Sequence, residues 1–332
     1  MKHSTDLLTK HKSEYFTCII TGVILLALVI CSLFIGKYPL TLQGILQDEG
    51  MQRNVFWTLR FSRTIMAVWG GLCLGITGFT YQTIFRNPLS SPDIIGVSSG
   101  ASAGAAAGIL FLGSSLAVTL SAFFGAFCAV AVALMLASLD RTGKNSSIVL
   151  SGIAVHALAQ TVLMSLKLVA DPEKELASIE YWMMGGLNNI SLYNMKIPAV
   201  LCIISMCILF LLHRQIILLS ADSAEAKMLG VDVRKMQLLI LFVSTLAVAC
   251  TTSLTGLISF IGLLAPHIAR LITKNNQKTT MVLSGLVGAV ILSFADILAR
   301  SVASTELPIS IFTSLIGAPF LICLVIKRSH VR

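Results

Sequence analysis

The sequence predicts an all-α integral membrane protein with about ten membrane-spanning helices. Hydrophobic residues make up 56% of the 332 residues and charged residues only 12%, and the mean hydropathy is +0.88. A soluble chain of this size could not bury so much apolar surface, whereas lipid accepts it. Apolar segments recur from one end to the other, so we interpret residues 1–332 as a single membrane domain.

Each candidate span supplies roughly the apolar length that a helix needs to cross a bilayer, about 20 residues. The spans are 16–36, 61–82, 94–113, 116–138, 147–168, 196–213, 236–255, 257–272, 280–298 and 308–326. The first follows a basic tail, residues 1–15, and is too long for a signal-peptide core. The eighth is short and contains Pro266, which kinks a helix. If the seventh and eighth were one span, nine would remain and the C-terminus would change sides.

The basic residues favour ten spans with both termini in the cytoplasm. With that count, sixteen of the 24 lysines and arginines fall on the inner side and eight on the outer side. An excess of Lys and Arg in cytoplasmic loops is the usual pattern in membrane proteins. The basic residues lie singly or in small groups between apolar runs, which argues against nucleic-acid binding despite the net charge of +9.

Two loops are long enough to have structure of their own. The inner loop, residues 214–235, predicts a short amphipathic helix on the cytoplasmic face, with Asp222 or Ser223 as its N-cap. The outer loop, residues 169–195, contains Tyr181 and Trp182, which suit the level of the lipid headgroups.

The third span has a glycine at every fourth position, at Gly96, Gly100, Gly104 and Gly108. Residues four apart share a helix face, and small residues let helices approach closely in lipid. The ridge therefore indicates tight packing, a helix that lines a path, or both.

The segment before the third span contains Asn87, Pro88 and Pro92, which disfavour a helix. Irregular backbone at membrane depth is tolerated only where it is buried in protein or lines a wet cavity. A plain cytoplasmic turn is the alternative interpretation of this segment.

Arginines cluster at the predicted outer ends of two spans. Arg60 and Arg63 open the second span, and Asp296 and Arg300 close the ninth. Spacings of three and four residues place each pair on one helix face. Such arginines can reach out to lipid headgroups, or they can bind the carboxylates of a docking protein in a bidentate fork.

The sequence contains no signature of an enzyme. SLDRTGKNS lacks the first glycine of a phosphate loop, HExxH and GxSxG are absent, and the eight cysteines lack metal-site spacing. No Asp or Glu falls in the middle of any span, although ion-coupled carriers usually need such a group. We therefore expect no catalysis, no metal and no cofactor, and an energy source in another subunit.

Seven motifs in order resemble the FecCD-type iron-chelate permeases of binding-protein-dependent ABC importers, a family that also carries haem and cobalamin. They are LRFSR, FRNPLSSPDIIGVSSGA, YWMMGG, AEAKMLGV, GLISFIGLLAPHIARL, ADILAR and ELPISIFTSLIGAPF. The resemblance covers residue 55 to the C-terminus. It implies a fold like that of the cobalamin-importer permease, working as a dimer with a second copy or a close relative. It also implies ATPase subunits below, an extracytoplasmic binding protein above and a path at the dimer axis.

The resemblance also assigns roles to residues. It implies that Arg60, Arg63 and Arg300 meet acidic residues of the binding protein, although Ser62 stands where the family usually has proline. Residues of the inner loop match the helix that couples to the ATPase: Ala226, Leu229 and Gly230. Asn145 and Ser146 fall where the family has its cytoplasmic gate, and we add the residues around the third span to that path: Asn87, Pro88, Gly96 and Gly100.

Taken together, these features predict the permease subunit of an ABC importer in the bacterial cytoplasmic membrane, with an iron–siderophore complex as cargo. Haem or cobalamin import by the same family is one alternative. An ion-coupled secondary transporter and a non-transporting receptor or scaffold are alternatives from other classes. A stably co-purifying ATPase would argue against both of these.

Overall fold

The computed structural model describes residues 2–36, 38–47, 50–140, 145–188, 190, 192–220, 232–303 and 305–329. The regular structure within these residues is entirely helical. In chain order the α-helices are α1 (Lys2–Phe34), α2 (Leu42–Gln47), α3 (Met51–Asn54), α4 (Ser62–Ile84), α5 (Val97–Phe111), α6 (Ser115–Leu139), α7 (Asn145–Val169), α8 (Glu175–Met183), α9 (Leu192–Leu211), α10 (His213–Leu218), α11 (Val233–Thr255), α12 (Ile261–Thr273), α13 (Lys278–Ser301) and α14 (Ile309–Ser329). A π-helical turn, Val55–Phe61, leads into α4, and a 3-10 turn, Pro92–Ile95, precedes α5.

The predicted all-α membrane architecture is confirmed. In the described chain, seven helical segments are long and apolar enough to span a membrane, and three shorter apolar helices accompany them. Each of the ten predicted spans overlaps one of these ten segments. The second is the longest, because α3, the π-helical turn and α4 run on without a break from Met51 to Ile84.

The helices run alternately up and down between two ends of the bundle. We call one the tail end, because α1 begins there at Lys2 and α14 finishes there at Ser329. The other is the loop end, which holds the connection between α7 and α9 and its short helix α8. Both described extremities of the chain therefore lie at the same end of the bundle.

Helix α4 lies at the centre and packs on α11, α12 and α13 through small residues. A Cβ added at Gly75 would lie 2.1 Å from the carbonyl oxygen of Ser284 on α13. A Cβ at Gly78 would lie 1.9 Å from the carbonyl oxygen of Gly262 on α12. Backbone therefore meets backbone here, which is how helices gain van der Waals contact in lipid.

The glycine ridge of the third span packs on α6. A Cβ at Gly100 would lie 2.5 Å from the carbonyl oxygen of Gly125, and one at Gly104 would lie 2.1 Å from that of Ser121. The prediction that the span begins at residue 94 is wrong, because the helix begins at Val97. Gly96 stands just before it with a φ of +86°, a left-handed conformation that glycine adopts without strain. Gly96 is thus not part of the helical ridge.

The seventh and eighth spans are separate helices, which excludes the nine-span alternative. Helix α11 ends at Thr255, a non-helical segment follows, and α12 begins at Ile261. Gly256 has a φ of +67°, and a Cβ added to it would lie 2.2 Å from the carbonyl oxygen of Trp182. The glycines of the YWMMGG motif complete this contact, since Gly186 donates its N–H to the Thr255 carbonyl at 2.8 Å.

Candidate docking and translocation sites

The arginines predicted to cluster do meet at the loop end, where α4 faces α13. Arg63 donates from Nε to Asp296 at 2.6 Å and from Nη1 to Glu306 at 2.8 Å. Arg300 lies on the same carboxylate, with its Nε 3.4 Å from the second oxygen of Asp296. Asp296 is completely buried, so one carboxylate holds the charges of two helices together.

The remaining polar groups of this cluster come from α1 and the segment after it. Arg300 donates from Nη2 to Ser32, whose hydroxyl is 2.8 Å from that of Thr64. Arg60 donates to the carbonyl oxygen of Ile35, and to that of Tyr38 at 3.1 Å. The first span is therefore fastened to the rest of the bundle through these two arginines.

A π-helical turn positions Arg60. The turn covers Val55–Phe61, and Ser62 follows it as the first residue of α4. Ser62 donates its hydroxyl to the carbonyl oxygen of Thr58 at 3.0 Å, with Trp57 O at 3.3 Å. Hydroxyls bonded in this way often bend a helix. Ser62 thus satisfies backbone groups in the wide turn at the position where the resembling family usually has proline.

Each of the three arginines is nearly covered within the chain, with relative exposures of 6%, 6% and 3% for Arg60, Arg63 and Arg300. Glu306 is the part of the cluster that solvent reaches, because its side chain is 37% exposed. Among the described atoms, Arg63 Nη2 and Arg300 Nη1 are buried without a hydrogen-bond partner. The structure brings the predicted residues together, and their docking role stays a prediction.

The segment between α4 and α5 turns back into the bundle. Asn87 and Pro88 lie at the tail end, where the Asn87 side chain accepts a hydrogen bond from Leu89 N–H at 3.0 Å. The chain then rises, so that the carbonyl oxygen of Ile94 packs on α7, where a Cβ at Gly152 would be 2.2 Å away. The interpretation of this segment as a plain turn is therefore wrong, because its second half lies inside the bundle.

A cavity of about 260 Å³, which we call the central cavity, lies between this re-entrant segment and the break between α11 and α12. Its lining combines polar side chains, namely Ser91, Asp93, Ser98, Thr252 and Ser259, with apolar ones such as Leu74, Val248 and Phe260. Both α5 and α12 begin at this cavity. Discontinuous membrane helices that begin at a common site are typical of transport proteins.

The predicted gate residues on α7 lie at its first turn, at the tail end. Helix α7 begins at Asn145, and Ser146 is exposed. The neighbouring Ser147 donates its hydroxyl to Asp140 at the end of α6. Arg234 of α11 donates to the carbonyl oxygen of Ser138 at 2.7 Å. These contacts join α6, α7 and α11 at the tail end, and the path or gate role of the predicted residues stays a prediction.

A second polar cavity, of about 300 Å³, opens at the tail end between α4, α10 and α12. Arg270 forms much of its wall and donates to Asn276 at 2.6 Å and to Thr83 at 2.9 Å. Its guanidinium also stacks over the ring of Phe79, 4.8 Å from the centroid. Ser220, the last described residue before the loop predicted to couple to the ATPase, also lines this cavity. The predicted coupling residues Ala226, Leu229 and Gly230 lie outside the described residues.

A cavity of about 850 Å³ lies at the loop end beneath α8. Its wall includes Lys174, Tyr181 and Asn188, so the long loop with its aromatic residues forms a vestibule there. No cluster of three or more His, Cys, Asp or Glu side chains suited to a metal ion occurs in the part of the chain that the structure describes.

Sequence reasoning missed two residues of these sites. Asp93 lies one residue before the predicted start of the third span, and only its place on a re-entrant segment brings it to the central cavity. The sequence places Arg270 only among the basic residues of the inner side, although it is partly buried and donates hydrogen bonds to side chains of α4. The paired prolines around Asp93, at Pro88 and Pro92, were the available signal for a segment that cannot continue a helix.

A family model described as the FecCD transport family matches residues 24–327. The chain belongs to this family. The predicted resemblance is thereby confirmed, and the protein is a permease subunit of an ABC importer, which is a transport component.

The names of similar permeases mention different cargoes. The molybdate import system permease protein of Haemophilus influenzae is 33% identical, covering 93% of this chain and 95% of that protein. A probable iron chelatin transport permease of Helicobacter pylori is 36% identical, covering 82% of each chain. The hemin transport permease of Yersinia pestis is 32% identical, covering 84% of this chain and 85% of that one.

Two solved structures share the fold. One is described as an inward-facing conformation of a metal-chelate type ABC transporter, with a TM-score of 0.85 and 32% identity over 94% of this chain and 99% of that one. The PsaBC complex of Streptococcus pneumoniae gives a TM-score of 0.55 at 15% identity, covering 85% of this chain and 92% of that one, which supports the fold alone.

Proposed function

We propose that this FecCD permease moves an iron–siderophore complex across the bacterial cytoplasmic membrane, in a dimer driven by partner ATPases and supplied by an extracytoplasmic binding protein. The observation that supports it best is the central cavity, where two helices begin at a wall that carries five polar side chains inside the bundle. Polar backbone at that depth suits a path for a bulky polar cargo.

The choice of cargo follows from the names of similar proteins. An iron chelatin permease and a structure of metal-chelate type stand among them, beside haemin and molybdate permeases. A metal chelate accounts for most of these, so iron–siderophore is the first candidate, and haem or cobalamin the second. Transport of free molybdate would exclude all of these metal-chelate candidates.

The two ends of the bundle receive separate roles. We assign the loop end to the outer face, with Arg60, Arg63 and Arg300 meeting the binding protein. We assign the tail end to the cytoplasm, with both termini, the gate residues Asn145 and Ser146, and the coupling residues Ala226, Leu229 and Gly230. ATP binding would then act on the tail end, and binding-protein docking on the loop end, through helices that have two stable arrangements.

Import by a reconstituted complex tests the proposal. The permease, the ATPase and the binding protein encoded beside it would be assembled in liposomes, and uptake measured for a radiolabelled ferric siderophore, haem, cobalamin and molybdate. We expect ATP-dependent uptake of the ferric siderophore alone. Preference for molybdate would overturn the cargo, and uphill uptake by the permease alone on an ion gradient would make it a secondary transporter.

A further inference from the structure

Asp93 is an ionisable residue at membrane depth. Helical periodicity in the sequence does not reveal it, because it lies on a re-entrant segment. The Cδ of Pro92 would lie 3.6 Å from a Cβ on Gly262, which itself packs on Gly78. Gly78 is six residues before the end of α4 at Ile84, which is about 9 Å along a helix axis. Asp93 therefore lies well inside the bilayer thickness, away from the tail end.

The surroundings of Asp93 show that its carboxylate faces an aqueous space. Asp93 is solvent-accessible, although protein atoms surround it on most sides, as expected for a residue in the wall of a cleft. A carboxylate in contact with lipid would be costly, and such groups face the interior of a bundle or a water-filled cavity. The cavity it lines supplies that space.

Local contacts partly offset the cost that burial imposes on the carboxylate of Asp93. Ser98, in the first turn of α5, donates its hydroxyl to Asp93 Oδ1. The amino end of a helix carries a partial positive charge that stabilises a nearby anion. His156 on α7 is the titratable neighbour that interacts electrostatically with it from the other side. The groups around Asp93 thus supply a hydrogen-bond donor and a favourable electrostatic interaction to a carboxyl group that lines the cavity.

We propose that Asp93 is a specificity-determining residue on the translocation path, favouring cargo that presents positive charge or hydrogen-bond donors and disfavouring oxyanions. The inference rests on the proposed permease function, which makes the central cavity part of the path. A ferric hydroxamate chelate of neutral or positive charge meets this requirement, whereas a dianion such as molybdate is repelled at close range. Asp93 thereby restricts the expected cargo to chelates that are neutral or positively charged.

A charge-selective reporter measures the effect without requiring uptake. Ser259 lines the same cavity, is partly exposed, and belongs to the non-helical segment before α12. In the complete importer in nanodiscs, Ser259→Cys would be modified with cationic and anionic methanethiosulfonates of similar size. Mass spectrometry of the peptide containing residue 259 reports the modification rates separately from those of the eight native cysteines.

We expect the ratio of cationic to anionic modification rates to fall about ten-fold when Asp93→Asn is added, and to be retained in Asp93→Glu. Asp93→Ser provides a second neutral variant if the asparagine variant does not assemble. Asp171→Asn, an exposed acid at the loop end, is the matched control and should leave the ratio unchanged.

An unchanged ratio in both neutral variants would overturn the proposal. Absence of modification at residue 259, both with and without ATP, would also overturn it, because a closed space cannot form a path. Either result leaves ATP-driven import intact. A complex that labels as expected but does not import would instead contradict the proposed function.

Discussion

Arg63 on α4 and Asp296 on α13 form a 2.6 Å ion pair in which the carboxylate is completely buried. Arg300 shares that carboxylate from the opposite side. A buried charge that loses its only counter-ion destabilises a protein by much more than an exposed pair contributes. The pair therefore joins the two central helices at the loop end, whatever docks above them.

Removing the shared carboxylate is expected to destabilise the bundle. Asp296→Asn should lower the free energy of unfolding by about 3 kcal/mol, because the buried Arg300 loses its counter-charge and Arg63 keeps only the partly exposed Glu306. The thermal midpoint of the detergent-purified protein measures this. Glu306→Gln is the control, with an expected loss of about 1 kcal/mol or less, because that side chain is more exposed. Equal losses in the two variants would contradict the assignment.

The docking prediction is tested with alanine rather than with charge reversal, because reversal would place three further carboxylates beside the buried Asp296. Changing Arg60, Arg63 and Arg300 together to alanine should weaken binding-protein affinity at least ten-fold, since arginine binds carboxylates in a bidentate geometry. Affinity would be measured on the nanodisc complex by surface plasmon resonance.

Arg53→Ala supplies the matched comparison for docking, because Arg53 is an exposed arginine at the same end of the bundle. Its affinity should equal that of the parent protein. A triple variant that stays folded, by its thermal midpoint, and still binds the binding protein with full affinity would remove the docking role.

The α5–α6 contact leaves no room for a side chain. Gly104→Ala should lower the thermal midpoint, because its Cβ would lie 2.1 Å from the Ser121 carbonyl oxygen and overpacking costs about 1–3 kcal/mol. Gly22→Ala is the matched control in α1, where nothing lies within 4 Å of the new Cβ. That variant should be neutral or slightly stabilising, since alanine favours helix. A stable Gly104→Ala variant would show that the two helices can separate.

The coupling assignment is tested in the loop that follows α10. Gly230→Trp should uncouple ATP hydrolysis from uptake, because a bulky side chain would prevent the loop from seating in the ATPase groove. ATPase activity and cargo uptake would be measured together in proteoliposomes. Gly230→Ala is the mild control and should retain most uptake. Normal uptake in the tryptophan variant would exclude the coupling role.

The sequence was sufficient for the membrane spans, because each of them needs only apolar length, and it located the arginine cluster, because positions three and four apart share a face. It could not reveal where the chain turns back inside the bundle. The depth of Asp93 depends on the packing of Ile94 against Gly152, two residues far apart in the chain. The π-helical turn before α4 is equally hidden, since its residues would also fit an ordinary helix.

The glycine ridge was correctly predicted as a packing surface, but its first member has another part to play. Gly96 allows the left-handed backbone that ends the re-entrant segment, while Gly100 and Gly104 meet α6. Periodicity alone treats the three residues alike, because it contains no information on where a helix begins.

Where backbone meets backbone between α5 and α6, at Gly104, and between α4 and α13, at Gly71 and Gly75, no side chain stands between the helices that could change rotamer and let one slide on the other. We therefore expect each pair of helices to move as one rigid body during a transport cycle. The deformable places are then the non-helical joints after α4 and after α11, and a turnover that bends only there keeps the lipid-facing surface of the rigid bodies unchanged while the interior opens.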